Sequence, residues 1–393
     1  MSGEAAGWWQ FLPDLGIRRM PPTDITYQTI NREPFVFVRT SFDPTLEGLP
    51  AGGGLPNHRK PIKDLPGVLD VVAVVSNPCR YKSRYDLYRA FERHIHASGA
   101  RLTTVELAFG ERPWELTEPD NPRHVQVRTG FELWHKENLI NLGVQRLPRD
   151  WKYVAWIDAD VSFARPDWVQ EALHQLQHHA IVQLFSHVFD LGPTHAPLSG
   201  FYGPGIRPAS WGYCHRNGLP KANTDLKKTL LDDKMNGAAT DGYGKLGAHH
   251  YWHPGFAWAC RRETWEALGG LIDVSILGAG DYLMASALTG DLTLSDWLAP
   301  SYKTAILEWK ARADRHVRGD LGYVDGLVLH HWHGPKAKRG YRDRWRIFHD
   351  HGFDPELDLK RDWQGLWQLT ERSTGLRDDI RRYFRQRDED SSH

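Results

Sequence analysis

Cysteine, methionine and net charge are what this chain of 393 residues has least of. Three cysteines, Cys79, Cys214 and Cys260, are an odd number without CxxC spacing. That excludes a disulfide framework and a zinc cluster, and it fits a reducing cytosol. Lys plus Arg equals Asp plus Glu at 49 each, so no global field recruits nucleic acid or an anionic membrane, and any such partner must be held locally. No apolar run of about 18 residues occurs, and the first residues lack the basic start and apolar stretch of a signal peptide. The sequence therefore reads as a soluble cytoplasmic protein with no membrane partner, in a bacterial or phage-infected host cytosol; its oligomeric state is left open. A Walker GxxxxGK[ST], an HExxH and a GxSxG elbow are missing. Gly242 to Gly247 fits GxGxxG but follows no strand and opens no helix, so it fails the structural condition for a dinucleotide site.

The chain does have 17 Trp, 12% aromatic residues and 21 His. Flat aromatic faces suit sugars and bases, although most such rings serve as core. Hydrophobic residues at 40% and charged residues at 25% describe an ordinary globular protein. Residues 1–65, with Pro21-Pro22 and Gly52 to Gly54, read as an irregular extension with one strand pair at most. From Leu69 to Val75 a continuous β-branched run marks a strand covered on both faces. Ser83 is placed to cap a helix with Leu87, Phe91 and Ile95 on one face. A strand at 102–109, a helix at 131–147, a strand at 153–157, a helix at 167–178 and an apolar run at 181–185 follow. This alternation predicts an α/β fold, a mostly parallel sheet flanked by helices, with its site at the carboxyl ends of the strands. The low-periodicity stretch 187–252 reads as a lid or acceptor insert, with Trp211, Tyr213 and Tyr251 available to stack on sugars. Shorter elements are expected at 256–259, 263–268, 281–288 and 326–331, before a charged tail at 336–393 that is helical in pieces.

Asp158-Ala159-Asp160 follows the strand at 153–157. Two carboxylates at i and i+2 of an extended chain project to one side and can share a hard cation, Mg²⁺ or Mn²⁺. The plainer reading is a turn with capping carboxylates. Asp388-Glu389-Asp390 has the same spacing but sits in a charge run and is expected to be solvated. In His330-His331-Trp332-His333-Gly334, His331 and His333 fall on one face of an extended chain and are the candidates to complete the metal shell, with Lys336 placed to neutralise a phosphate. Asp281, after Gly278-Ala279-Gly280, is either a helix cap or a general base near a sugar acceptor. Arg80, Tyr81 and Arg84, leaving the first strand, are candidates to stack a nucleobase and bind a diphosphate. The basic run Lys336, Lys338, Arg339, Arg342, Arg344 and Arg346, with Trp332, Tyr341 and Trp345, offers local support for DNA, its alternative being a solvated helix face.

In order, NPCRYKSR, WHKENLINLGV, YVAWIDADV, HPGFAWACRRETWEALGGLID, LGAGD and HHWHG resemble the GT-A fold of nucleotide-sugar glycosyltransferases over residues 66–335. The most specific parts are the Asp-x-Asp and the block Gly255 to Asp273. The resemblance implies a nucleoside-diphosphate sugar donor, a UDP-sugar being favoured, with Asp158 and Asp160 on the ribose and metal-bridged diphosphate. It implies His331, with His333, as late metal ligands, Arg80, Tyr81 and Arg84 in the nucleotide pocket, and Asp281 as the base of an inverting hexosyl- or pentosyltransferase. Galactosyltransferase-like members pair two acids near that position, whereas here Asp281 is followed by Tyr282. The chain is also similar to glycosyltransferases of bacteriophages and bacteria, some of which modify hydroxymethylated pyrimidines. A 5-hydroxymethylated DNA acceptor is therefore an expectation, beside a glycan or protein acceptor or a non-catalytic binding module.

Overall fold

The computed structural model describes residues 67–198, 208–219, 251–341 and 343–391 with their side chains, and the backbone of strand residues outside them. Two compact units divide the chain after Lys60. In the first, strands Ala6–Trp8, Ile25–Ile30 and Glu33–Ser41 form an antiparallel sheet with the longest strand in the middle. This exceeds the single strand pair that the sequence predicts. The alternating ITYQTI pairs in unbroken register with the next strand, from Ile25 against Val38 to Ile30 against Glu33, and a third strand is added at Ala6–Trp8.

The second unit is built on a mixed sheet. In chain order its strands are β1 (Leu69–Ser76), β2 (Arg101–Phe109), β3 (His124–Thr129), β4 (Tyr153–Ile157), β6 (Ile181–Gln183), β10 (Ala257–Arg261) and β11 (Leu321–Tyr323). They lie side by side as β11-β6-β10-β4-β1-β2-β3, all parallel except β10, which runs against both neighbours. Period two explains why β1 and β4 read as unbroken apolar runs. Val71, Ala73, Tyr153 and Ala155 face one core, which holds α1 (Lys82–Ala97) and α3 (Trp168–His178). Val72, Val154 and Trp156 face the other, with α2 (Lys136–Gln145), α5 (Arg262–Leu268), α6 (Gly280–Thr289) and α7 (Pro300–His316). The helix expected from Phe131 begins only at Lys136, because Trp134 N–H is spent on Ile276 O at 2.8 Å and holds the preceding segment out of the helix.

A smaller sheet, ordered β9-β8-β7-β12-β5, joins β5 (Val161–Phe163), β7 (His187–Asp190), β8 (Arg207–Ser210), β9 (His250–His253) and β12 (Leu327–His330). Within the expected insert, α4 (Trp211–Arg216) also forms, while Gly242 to Gly247 lie outside the described residues. The segment after Lys336 is no appendage. Helices α8 (Asp343–Asp350), α9 (Pro355–Asp358) and α10 (Thr374–Arg385), with the hairpin of β13 (Leu359–Arg361) and β14 (Trp367–Leu369), bring Trp345, Phe348, Ile380 and Tyr383 into the same core as β4. Among the described residues no helix is long and apolar enough to cross a membrane.

Candidate active site

A cavity of about 320 Å³ opens where β1, β4 and β12 end. It lies at the carboxyl edge of the sheet, as the alternation of strands and helices predicts. Asp158, Asp160, Tyr81, Arg84, Asp281, His333 and Lys336 all line it. Two residues of its wall carry backbone strain, Phe256 at φ 75° and Ala279 at φ 76°, both rare for side chains larger than glycine.

One half of the cavity gathers nitrogen and oxygen acceptors. Asp160 Oδ2 lies 2.9 Å from His333 Nε2 and 3.8 Å from His330 Nε2, and the two ring nitrogens are 3.2 Å apart. Donor capacity assigns the protons. His330 Nδ1 meets Asp190 Oδ1 at 2.6 Å, and a carboxylate only accepts, so Nδ1 carries the hydrogen and Nε2 the lone pair. Burial drives the His330 pKa down to about 4 against the pull of Asp190 and Asp160, which keeps the ring neutral. His333 Nε2 faces Arg339 Nη2, which can only donate, at 3.0 Å and Asp160 Oδ2, which can only accept, at 2.9 Å, so its two neighbours ask for opposite states of the nitrogen. Asp160 works against its own burial, but His333, His330 and Arg339 hold its carboxyl far below the usual range. Its Oδ1 is buried with no hydrogen-bond partner among the described residues. Three ligand atoms facing one another fit a divalent cation, and one carboxylate with two imidazoles is a donor set suited to Mn²⁺.

This differs from the expected ligand set. His331 turns the other way, bonding Ser162 at 2.9 Å. Alternation by two holds only inside a strand. β12 ends at His330, the chain turns, and His333 returns beside His330. The same rule fails at Asp158 and Asp160, which sit in a turn after β4. Asp160 joins the histidines, while Asp158 forms an ion pair with Lys136.

The other half of the cavity is this second cluster of Lys136, Glu137, Asp158 and Asp281. Lys136 and Glu137 open α2, and sequence reasoning missed both, though a charged pair starting an apolar helix was the available signal. Burial and Asp160 push the Asp158 pKa up to about 6 against Lys136. Lys136 is itself held protonated by Asp158, Asp281 and Glu137 in spite of its burial. Asp281 is not the helix cap; that place belongs to Ala279, and Asp281 Oδ1 accepts from the Tyr282 N–H at 2.8 Å. A second acid beside Asp281 is supplied from α2 by Glu137, whose pKa is raised by burial from 4.5 to about 8 despite Lys136. The folded protein thus keeps a proton on Glu137 that the unfolded chain releases near pH 4.5, and stability should fall as pH rises from there toward 8. The full effect is on the order of 5 kcal/mol. The melting temperature is expected to drop across that window, and Glu137→Gln, a mimic of the neutral form, to remove this part of the drop; identical melting profiles would refute the assignment.

The remaining candidates divide. Tyr81 lines the cavity with its hydroxyl on the backbone oxygens of Phe384 and Arg385 at 3.2 and 3.1 Å. Arg84 lines it too, ion-paired with Glu389. Arg80 points out to Glu115 at 3.1 Å and does not join the site. Lys336 is bound to Asp190, and burial lowers its pKa to about 8 against that partner. Asp388-Glu389-Asp390 is not solvated as a unit: Glu389 is 1% exposed and lines the cavity, and Asp390 accepts from the N–H groups of Lys82 and Ser83, so it, rather than Ser83, caps α1. The basic run divides between the interior and the surface. Lys336 and Arg339 turn inward, Lys338 pairs with Asp388, Arg346 pairs with Asp343, Trp345 is core, and Arg342 lies outside the described residues. Of the expected stacking rings, Trp211 is core and Tyr213 packs on His187 and Tyr323, leaving Tyr251 at the cavity wall.

No protein-family profile and no curated protein matches the chain. Among solved structures it is similar to a mutant Drosophila β1,4-galactosyltransferase 7 in complex with manganese, UDP-Gal and xylobiose, at 12% identity and a TM-score of 0.30, over 66% of this chain and 65% of that one. The chain thus spans slightly less than two thirds of that structure's length. It is also similar to 4-diphosphocytidyl-2C-methyl-D-erythritol synthase from Anaerococcus prevotii, at 9% identity and a TM-score of 0.31, over 66% of this chain and 87% of that one.

Proposed function

We propose that this chain is a metal-dependent GT-A glycosyltransferase that moves a hexosyl or pentosyl group from a nucleoside-diphosphate sugar, a UDP-sugar being favoured, to an acceptor hydroxyl. The observation that carries the reading is one cavity holding two unlike clusters side by side: a carboxylate and two imidazoles whose ligand atoms converge, and the acids Glu137, Asp158 and Asp281 around Lys136. Asp160, His330 and His333 would hold Mn²⁺ or Mg²⁺, which as a Lewis acid offsets the charge that develops on a departing diphosphate. Lys336 and Arg339 add fixed positive charge on the same side, where it stabilises the transition state more than the ground state. Asp158, with Lys136, orients sugar hydroxyls. Asp281 accepts the acceptor's proton during in-line attack, which gives inversion.

A glycan or other neutral hydroxyl acceptor suits the wall formed by Trp134, Tyr251 and Tyr282. A 5-hydroxymethylated DNA acceptor is not carried forward, because Lys336 and Arg339 of the basic run turn into the cavity instead of forming a continuous basic face with the exposed Lys338 and Arg346. The test is incubation of the protein with a panel of nucleotide sugars and Mn²⁺, reading free nucleoside diphosphate. One donor should release its diphosphate in a manner abolished by chelator, and the same donor with Mn²⁺ should raise the melting temperature. No release and no stabilisation by any donor would end the reading, and stabilisation without release would favour a binding module instead.

A further inference from the structure

Both candidate ligand rings have a second nitrogen turned away from Asp160. Behind His330, Nδ1 donates to Asp190 at 2.6 Å. Behind His333, Nδ1 is buried without a hydrogen-bond partner among the described residues, and Glu389 Oε2 lies 3.6 Å from it. A ring that ligates a cation through Nε2 carries its proton on Nδ1, which here is the side that faces Glu389.

Glu389 is placed there by a strap, residues 386–391, tied at every step. The Asp388 N–H donates to the Tyr81 hydroxyl at 3.1 Å, and Glu389 O accepts from Ser83 Oγ at 3.1 Å. The Asp390 carboxylate accepts from the Lys82 and Ser83 N–H groups at 2.9 and 2.8 Å, and Ser391 O accepts from Trp332 Nε1 at 2.7 Å. Gly334, at φ 83°, lets the strap lie directly on the loop that carries His333. A Cβ there would stand 2.6 Å from Asp388 O and 2.8 Å from the Glu389 Cα. The strap therefore bridges the start of α1 and the His331–Gly334 loop, with its carboxylate gripped by Arg84 and by Arg387 Nε at 2.6 Å.

We propose that Glu389 is a positioning residue for the metal site: its carboxylate, 3.6 Å from His333 Nδ1, favours the ring form with the proton on Nδ1 and the Nε2 lone pair toward Asp160, the part that Asp190 plays at 2.6 Å for His330. A carboxylate behind a ligating imidazole sets its tautomer and raises its basicity. A strap that merely plugged the cavity would be held loosely and would stand on the Nε2 side; this one is tied throughout and lies on the Nδ1 side. The inference rests on the metal reading above.

Metal binding, rather than turnover, tests it. Mn²⁺ affinity is measured by calorimetry on the full chain and Co²⁺ binding by visible absorption, for wild type, Asp160→Ala, Glu389→Gln and Glu389→Asp, beside melting of each protein without metal. Wild type should bind and Asp160→Ala should not; failure of wild type to bind would sink the metal reading itself and this inference with it. Glu389→Asp keeps the charge for Arg84 and Arg387 but withdraws it from His333 by one methylene. It should melt like wild type, bind Mn²⁺ about 10- to 100-fold more weakly and show an altered Co²⁺ spectrum. Glu389→Gln should weaken Mn²⁺ at least as much, and where it fails to fold the aspartate variant decides. Mn²⁺ affinity of Glu389→Asp within twofold of wild type, with an unchanged Co²⁺ spectrum, would overturn the proposal.

Discussion

Asp160→Ala is expected to abolish Mn²⁺ binding and to lower glycosyl transfer at least about a thousandfold, the loss of several kcal/mol of charge stabilisation at the leaving group. Asp158→Asn is expected to behave differently. Asp158 is engaged with Lys136, whereas Asp160 Oδ2 lies 2.9 Å from His333 Nε2. The Asp158→Asn variant should therefore bind Mn²⁺ as wild type does and still lose turnover, through a weakened hold on the sugar and a Lys136 whose positive charge is less well balanced. Calorimetric titration with Mn²⁺ beside a diphosphate-release assay separates the two. Equal loss of metal affinity in both variants would restore the symmetric role that the Asp-x-Asp spacing suggests, and unchanged turnover in Asp160→Ala would remove the metal site.

The legible part of this fold was the part governed by local periodicity. Tyr153–Ile157 is a strand with the expected ends, since its five residues are apolar, buried on both faces and bounded by Lys152 and Asp158. β1 and α1 follow the same logic, as does the placement of the site at the strands' carboxyl ends. The illegible part was set by long-range contact. α7 carries a regular stripe of Tyr302, Ile306, Trp309 and Ala313, yet charged residues dilute it and its periodicity does not stand out in the sequence. At the site, the two-residue alternation does not extend past the ends of β4 and β12, where the backbone no longer obeys it. Applying it there exchanges His331 for His330 and gives Asp158 a ligand's role. Glu389 was beyond local reading, because its neighbours Asp388 and Asp390 give it the look of a solvated run. Only the fold shows that Arg84, 305 residues earlier, is waiting for it. Asp190 was hidden similarly at the end of an apolar segment, its partner His330 being 140 residues away.

Asp281→Asn is expected to reduce turnover at least about a hundredfold, with Mn²⁺ and donor affinity retained, as removal of a general base does. The geometry supplies a second, independent way to disturb the same group. Gly255 lies against the Asp281 carboxylate so closely that a Cβ on residue 255 would stand 2.5 Å from Oδ2. Residue 255 also lies on the turn that carries the strained Phe256, so the contact is rigid on that side and the carboxylate must yield. Gly255→Ala should therefore lower turnover while the Asp160–His330–His333 group keeps its metal, a pattern that general loss of folding would not give. Glu137 does not replace the lost base. Its raised pKa leaves it largely protonated at neutral pH, so it holds a proton where Asp281 must accept one. Turnover reads the difference: it should fall at least about a hundredfold in Asp281→Asn and far less in Glu137→Gln. Turnover of Asp281→Asn within tenfold of wild type would move the base to another residue and leave the stereochemical outcome without support.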